Sequence, residues 1–168
     1  MGGAVKVQGN ASRTAEFNFW FDPEAAQIVL RSGIPEKIMF GLDICNRAPF
    51  GRPLFDKIVA AKTSITELYR QDYGGRYPAS FHHPGAKAYL WDELAAAYLI
   101  DPAFVTASET AYLDVDTHYG PNYGAVTALD RKLAPNATPL KVMLDLNYPR
   151  VSALYESLLK FGDRLPNR

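Results

Sequence analysis

The sequence predicts an α/β protein: part of an open, mostly parallel sheet flanked by helices, with a smaller β-rich C-terminal portion. Three observations predict it. Asp22-Pro23-Glu24 opens a helix that ends at Gly33, and the strand-length apolar run Lys37–Leu42 follows across a short Gly/Pro link. Helix, tight link and strand in that order are the rhythm of a parallel sheet. Further on, Tyr112, Asp114 and Asp116 alternate with Leu113, Val115 and Thr117, the period of a strand with one polar face. Last, Pro139–Asn147 is another strand-length run, followed by a closing helix over Pro149–Phe161.

Taken in order, Ala4–Val7 follows two glycines as a short apolar run and reads as a strand. Residues 9–21 read as a polar and aromatic loop. Asp22 is a good N-cap because its oxygen accepts free backbone N–H groups, and Pro23 at the first helical position has no N–H to lose. Glu24 adds charge suited to a helix N-terminus. Pro53–Arg70 reads as helical, in two pieces, from Leu54, Ile58, Val59, Ile65, Leu68 and Tyr69. Gln71–Gly85 is full of turn formers. Ala88–Ile100 reads as a strong helix, apolar nearly all round and therefore buried. "PNYGAVTALD" gives a turn and then a strand. The closing helix carries Val151, Leu154, Tyr155, Leu158 and Leu159 on one side. No boundary has the composition of a flexible linker, and 168 residues suit one ordinary domain.

Lys and Arg total 18, as do Asp and Glu, so the formal net charge is zero. That balance argues against nucleic-acid binding driven by a basic field and against adhesion to anionic lipid. Cys45 is the only cysteine, which excludes an internal disulfide and a cysteine-based zinc site. No apolar run approaches the ~20 residues of a membrane span. "MGGAVKVQG" has neither the basic flank nor the long apolar stretch of a signal peptide; the sequence is silent on compartment, and the cytoplasm stands only as the default.

Four groups of residues are candidates for chemistry. Asn10, Glu16 and Asn18 crowd the opening loop, before a helix whose N–H groups Asp22 already serves. Such groups either close the loop on itself through Asx-type turns or face a ligand with several hydroxyls, since Glu accepts and Asn both donates and accepts. Asp92 lies in the apolar stretch "YLWDELAAAYLIDP". It either caps that helix, with Trp91 packing outside as a hydrophobic staple, or ligates a hard cation such as Ca2+. In the second case Trp91 is an aromatic wall for a flat group. His82-His83 are either solvated loop residues or metal and proton groups. Asp114 and Asp116 are either paired acids or the wet face of a peripheral sheet.

"MGGAV", "GN" and "AEFNFWFDPEAA", followed later by "WDELAAAYLIDP", resemble the nucleoside hydrolases, the inosine/uridine-preferring N-ribohydrolases. The two blocks match in order and spacing over most of the chain, whereas "VDT" and "YGAV" match loosely. The resemblance implies a nucleoside-hydrolase-like fold and a Ca2+-dependent hydrolysis of the N-glycosidic bond of ribonucleosides, giving ribose and free base. It implies that Asn10, Glu16 and Asn18 grip ribose hydroxyls, and that Asp92 binds Ca2+ and touches a ribose hydroxyl. Many members carry His where Trp91 stands; Trp91 resembles the purine-specific branch, which stacks an aromatic on the base, and a purine preference follows. The family often forms dimers or tetramers, so a homo-oligomer is expected.

One departure is large. The family's D-x-D-x-G-x-D-D block, which holds most of the metal and supplies the base that activates water, is not in this sequence. "LDVDTHYGPNYG" lies in the wrong place and lacks the paired aspartates. Residues 1–168 therefore resemble the C-terminal half of a nucleoside hydrolase, with no catalytic base of their own and most Ca2+ ligands expected from an N-terminal half. Alone, the chain is expected to bind Ca2+ weakly, to be inactive, and to expose a sheet edge that invites association. The alternative is a non-catalytic sugar- or nucleoside-binding remnant or interaction module.

Overall fold

The computed structural model describes residues 1–72, 88–132 and 137–160. The chain divides into two compact units: Met1–Arg47 with Val105–Leu146, and Ala48–Phe104 with the segment from Asn147 onward.

The first unit holds the sheet. Its elements are α1 (Phe17–Phe21), α2 (Pro23–Arg31), β1 (Ile38–Met39), α3 (Leu42–Cys45), β2 (Val105–Val115), β3 (Val126–Ala128) and β4 (Pro139–Leu146). The strand order is β1-β4-β2-β3, open at both ends. β1 runs parallel to β4, with Ile38 opposite Lys141, while β2 is antiparallel to both β3 and β4. The expected open sheet with flanking helices is present. Its parallel character rests, among the described strands, on the β1–β4 pairing, and β2, β3 and β4 make the β-rich C-terminal portion.

Alternation along the strands explains the core. Ala111, Leu113 and Val115 of β2 and Leu140, Val142 and Leu144 of β4 form one face, which packs with Met39 and with Ala26 and Leu30 of α2. α2 begins as the sequence predicts, with the Asp22 carboxylate accepting from Ala25 N–H at 2.8 Å. At its other end the buried Lys37 ammonium donates to the Leu30 carbonyl (2.6 Å), the Ser32 carbonyl (2.9 Å) and Thr138 Oγ1. A cation on the last carbonyls satisfies groups a helix terminus leaves open, and burial pushes the Lys37 pKa down. α3, buried at all four residues, packs on β4.

Two expectations for this unit are corrected. The strand over Ala4–Val7 does not form. Gly3 adopts φ +82°, outside the extended range, and the next amides turn away from any ladder: Val5 N–H and Lys6 N–H donate to the two carboxylate oxygens of Asp43, at 2.9 and 2.7 Å. Within the loop expected over 9–21, the final five residues are helical, as α1.

The second unit is helical: α4 (Arg52–Val59), α5 (64–72), α6 (Asp92–Tyr98), a 3-10 turn over Pro102–Phe104 and α7 (Tyr148–Lys160). The two-piece helix is as expected. α4 and α6 both pack on α7, around Leu54, Ile58, Leu94, Phe104 and Val151. Arg150 on α7 holds Asp101 with two hydrogen bonds, at 2.6 and 2.9 Å, and lowers its pKa. The helix expected over Ala88–Ile100 is shorter. Residues 88–90 are extended and pair with 48–50: Phe50 N–H donates to Ala88 O and Leu90 N–H to Ala48 O, both at 2.8 Å. It is not buried all round either, since Leu99 is 87% exposed and Asp92 is also exposed. No helix among the described residues is long and apolar enough to cross a membrane. His82-His83 and most of the Gln71–Gly85 loop lie outside the described residues.

Candidate functional site

The loop from Gly9 to Asn18 is built by its own hydrogen bonds. The Ala15 carbonyl gathers the amides of Asn10, Ala11 and Ser12 at 3.1–3.2 Å, and Ser12 Oγ accepts from Ala15 N–H at 3.0 Å. Gly9 is required by the closeness of the crossing: a Cβ there would lie 2.1 Å from the Ala15 carbonyl oxygen. Gly9→Ala is expected to destabilise the protein by about 1–3 kcal/mol, because the obstacle is backbone and cannot step aside. A melting temperature unchanged from the parent would contradict this.

On this loop the three predicted polar residues sit together at the start of α1. Asn10 Oδ1 accepts from Phe17 N–H at 2.8 Å. Glu16 is the N-cap of α1: Oε1 accepts from Asn18 N–H (2.9 Å), and Oε2 from Phe19 N–H (3.2 Å) and Gly3 N–H (2.8 Å). It is only 2% exposed. Asn18 is exposed, and its Nδ2 lies 3.4 Å from the Met1 carbonyl and 3.3 Å from its sulfur. Closure of the loop on itself is thus what these contacts amount to. Two exposed amide atoms remain that no described residue engages, Asn10 Nδ2 and Asn18 Oδ1.

In the second unit Asp92 is the first residue of α6, not its cap; Trp91 occupies the cap position with no capping side chain, and Glu93 Oε2 accepts from Trp91 N–H at 2.8 Å. The Asp92 carboxylate has no hydrogen-bond or ion-pair partner among the described residues. The indole Nε1 of Trp91 is buried and without a partner.

The described residues do not by themselves compose a Ca2+ site. That ion takes ~6–8 oxygens, and Asp92 brings one carboxylate; no group of three or more His, Cys, Asp or Glu side chains among the described residues is arranged to hold a metal.

Asp114 and Asp116 are each engaged locally. Arg31 grips Asp114 with Nη2 at 2.5 Å and Nε at 3.3 Å. Asp116 Oδ1 accepts from His118 N–H at 2.9 Å. Burial opposes ionisation of Asp114, but the Arg31 hydrogen bond together with backbone donors outweighs it, and the pKa lies below the usual value. A carboxylate lowered in the folded state adds stability above its unfolded pKa of ~3.9 and loses it as pH falls through the folded value. Because Arg31 is more than half exposed, the contribution is expected to be under ~1 kcal/mol. Urea midpoints of the parent and Asp114→Asn should therefore differ slightly at pH 7 and converge as the pH falls through the folded value; a gap that widens with acid would contradict it.

Asp43 was not singled out by the sequence, although it holds the backbone that leads into the loop. The available signal was an acid inside the apolar run "MFGLDIC": a charge there must be paired or hydrogen-bonded if buried.

An open sheet flanked by helices, in this element order, is the fold of the nucleoside hydrolase class. The chain belongs to the inosine-uridine preferring nucleoside hydrolase family, whose model matches residues 1–153. It is 34% identical over 125 residues to the pyrimidine-specific ribonucleoside hydrolase RihB of Escherichia coli O1:K1, covering 74% of this chain and 39% of that protein. Among solved structures it resembles the inosine-uridine preferring nucleoside hydrolase from Bacillus anthracis, with TM-score 0.75 and 27% identity over 95% of this chain and 49% of that one. It also resembles the purine-preferring ribonucleoside hydrolase from Gardnerella vaginalis, with TM-score 0.71 and 26% identity over 97% of this chain and 51% of that one. The chain spans about half the length of the relatives it matches, or less.

Proposed function

We propose that the chain serves hydrolysis of the N-glycosidic bond of ribonucleosides to ribose and free base, with the exposed amides of Asn10 and Asn18 taking sugar hydroxyls. The buried Glu16 fixes the turn that presents them and accepts a hydroxyl on a remaining lone pair. In that reaction the C1′–N bond breaks, its electron pair goes to the base nitrogen, which is protonated, and a water oxygen bonds C1′ and gives up a proton. The chain's share is positioning: a fixed set of hydrogen-bond partners holds the sugar ready and lowers the entropic cost of reaching the transition state. Trp91 stacks on the base, which makes a purine ring nitrogen take its proton more readily, so purine nucleosides are preferred. The relatives differ on this point, one being pyrimidine-specific and another purine-preferring. Asp92 would contribute one oxygen to a Ca2+ ion, which would polarise the attacking water; the other ligands, with the base that activates water, would have to come from the family's Asp-rich block.

The observation that carries this reading is the coincidence of the family match over residues 1–153 with three polar side chains on one self-closed turn. The test is ribose release from inosine and from uridine, by the chain alone and by the chain mixed with a polypeptide carrying the Asp-rich block, with Ca2+ present. Release is expected in the mixture only, inosine ahead of uridine. Uridine ahead overturns the purine preference. A mixture that forms a complex and releases no ribose overturns the hydrolase reading in favour of the non-catalytic nucleoside-binding one.

A further inference from the structure

The turn that joins β2 to β3 is closed by its own backbone. Asp116 N–H donates to the Ala125 carbonyl (2.9 Å), Gly124 N–H to the Asp116 carbonyl (2.8 Å) and Tyr123 N–H to the Gly120 carbonyl (3.1 Å). A segment whose amides are paired internally keeps its shape against a neighbour. The neighbour here is the polar loop with α1 and α2, and the turn meets it at three places. Gly124 is buried and crosses α1 directly, at φ +80°: a Cβ there would lie 2.5 Å from Trp20 Cα, 2.8 Å from Trp20 N and 2.9 Å from the Phe19 carbonyl oxygen. The Pro121 carbonyl accepts from Thr14 Oγ1 at 3.1 Å. The Tyr123 hydroxyl donates to Glu24 Oε2 of α2 at 3.3 Å.

We infer that the β2–β3 turn positions the polar loop, with Gly124 and Thr14 as positioning residues for Asn18 and Asn10. The inference rests on the sugar-binding role proposed above for those two amides. Neither Gly124 nor Thr14 is assigned a contact with the sugar. Gly124 sets how closely α1 approaches the turn, and Asn18 is on α1. Thr14 ties the middle of the loop to the same turn, between Asn10 and Glu16. The loop's own bonds fix its shape, and Glu16 ties it to Gly3. The turn adds the contacts that come from the sheet. A set of groups meant to hold several hydroxyls at once needs such a frame, because small misplacements cost much of the binding and of the chemistry.

The test uses the 168-residue chain with D-ribose as the probe. Gly124→Ala, Thr14→Val and Thr14→Ser are compared with the parent. Gly120→Ala is the control, since a Cβ there meets nothing closer than the His118 carbonyl oxygen at 3.9 Å. Ribose Kd is read from NMR shifts of the Asn10 and Asn18 side-chain amides. Hydrogen exchange at the Phe17 amide, which donates to Asn10 Oδ1, reports the placement of that side chain without any sugar. Gly124→Ala should weaken ribose at least tenfold, because the obstacle is backbone and an L side chain resists that φ. Thr14→Val keeps the shape and loses the hydroxyl. It should weaken ribose about threefold and speed Phe17 exchange by about the same factor, with an unchanged melting temperature. Thr14→Ser and Gly120→Ala should match the parent in both readouts. A general loss of stability would instead move the melting temperature and the α7 amides along with Phe17. Should Gly124→Ala fail to fold, the Thr14 pair carries the test. Ribose affinity unchanged in Thr14→Val, or equally weakened in Thr14→Ser, would overturn the inference. If ribose shifts neither asparagine in the parent, the sugar reading falls and exchange decides. Faster Phe17 exchange in Thr14→Val but not in Thr14→Ser then supports the turn as the frame of the loop, and equal rates in all of them remove it.

Discussion

Glu16→Ala should lower the stability of this protein by about 3 kcal/mol, summing one stranded buried amide and a lost helix cap. At this chain length that corresponds to a fall of roughly 10 °C in melting temperature. The carboxylate serves three backbone donors at once, from Gly3, Asn18 and Phe19. Gly3 N–H is buried, so removing its acceptor strands it, while the two α1 amides recover part of their loss from water. Glu16→Gln distinguishes charge from shape. The amide keeps one oxygen, so one side of the pair of contacts survives and the loss should be about half as large. Circular dichroism melts of the three proteins check the order. A melting temperature of Glu16→Ala within 2 °C of the parent would show that the turn is held by Asn10, Ser12 and the Ala15 carbonyl without it.

Asp43→Ala is expected to cost a similar amount, about 3 kcal/mol, since two hydrogen bonds to a charged acceptor are lost together. The residue is 5% exposed, and each oxygen takes one of two consecutive amides, Val5 and Lys6. Here the informative measurement is local. Exchange at the Val5 and Lys6 amides should speed by about 100-fold, the equivalent of ~2.7 kcal/mol, while amides of α7 follow only the global change. Asp43→Asn should fall between, because it offers one acceptor and places a donor against the other amide. Equal acceleration everywhere would mean that Asp43 supports the fold as a whole and not the path into the loop.

These two carboxylates also show where the sequence is legible and where it is not. Asp22-Pro23 announces α2, because capping chemistry is local and both residues act within one turn. β2, β4 and α7 are readable from periodicity, which reports a single buried face. What stays hidden is fixed from a distance. Asp43 reaches back 38 residues to straighten no strand but bend one, so the apolar Ala4–Val7 looks extended until its partner is known. The aromatic run Phe17–Phe21 is poor helix material on propensity, and its cap is a glutamate, an unusual choice. The helix expected from Ala88 onward loses its first turn because residues 48–50 claim those amides. For the candidate site, residue types single out Asn10, Glu16 and Asn18 as one polar group, and the structure brings them together at the start of α1. The division between them is not visible in the sequence: the buried Glu16 takes three backbone donors, while the two asparagines lie at the surface.

The one thiol of the chain, Cys45, sits on α3 two residues beyond Asp43 and has no accessible surface. A maleimide or disulfide reagent cannot reach it until that segment swings out, so the rate of its modification in native buffer is a clock for spontaneous opening of the region, with no label to introduce and no competing cysteine to remove.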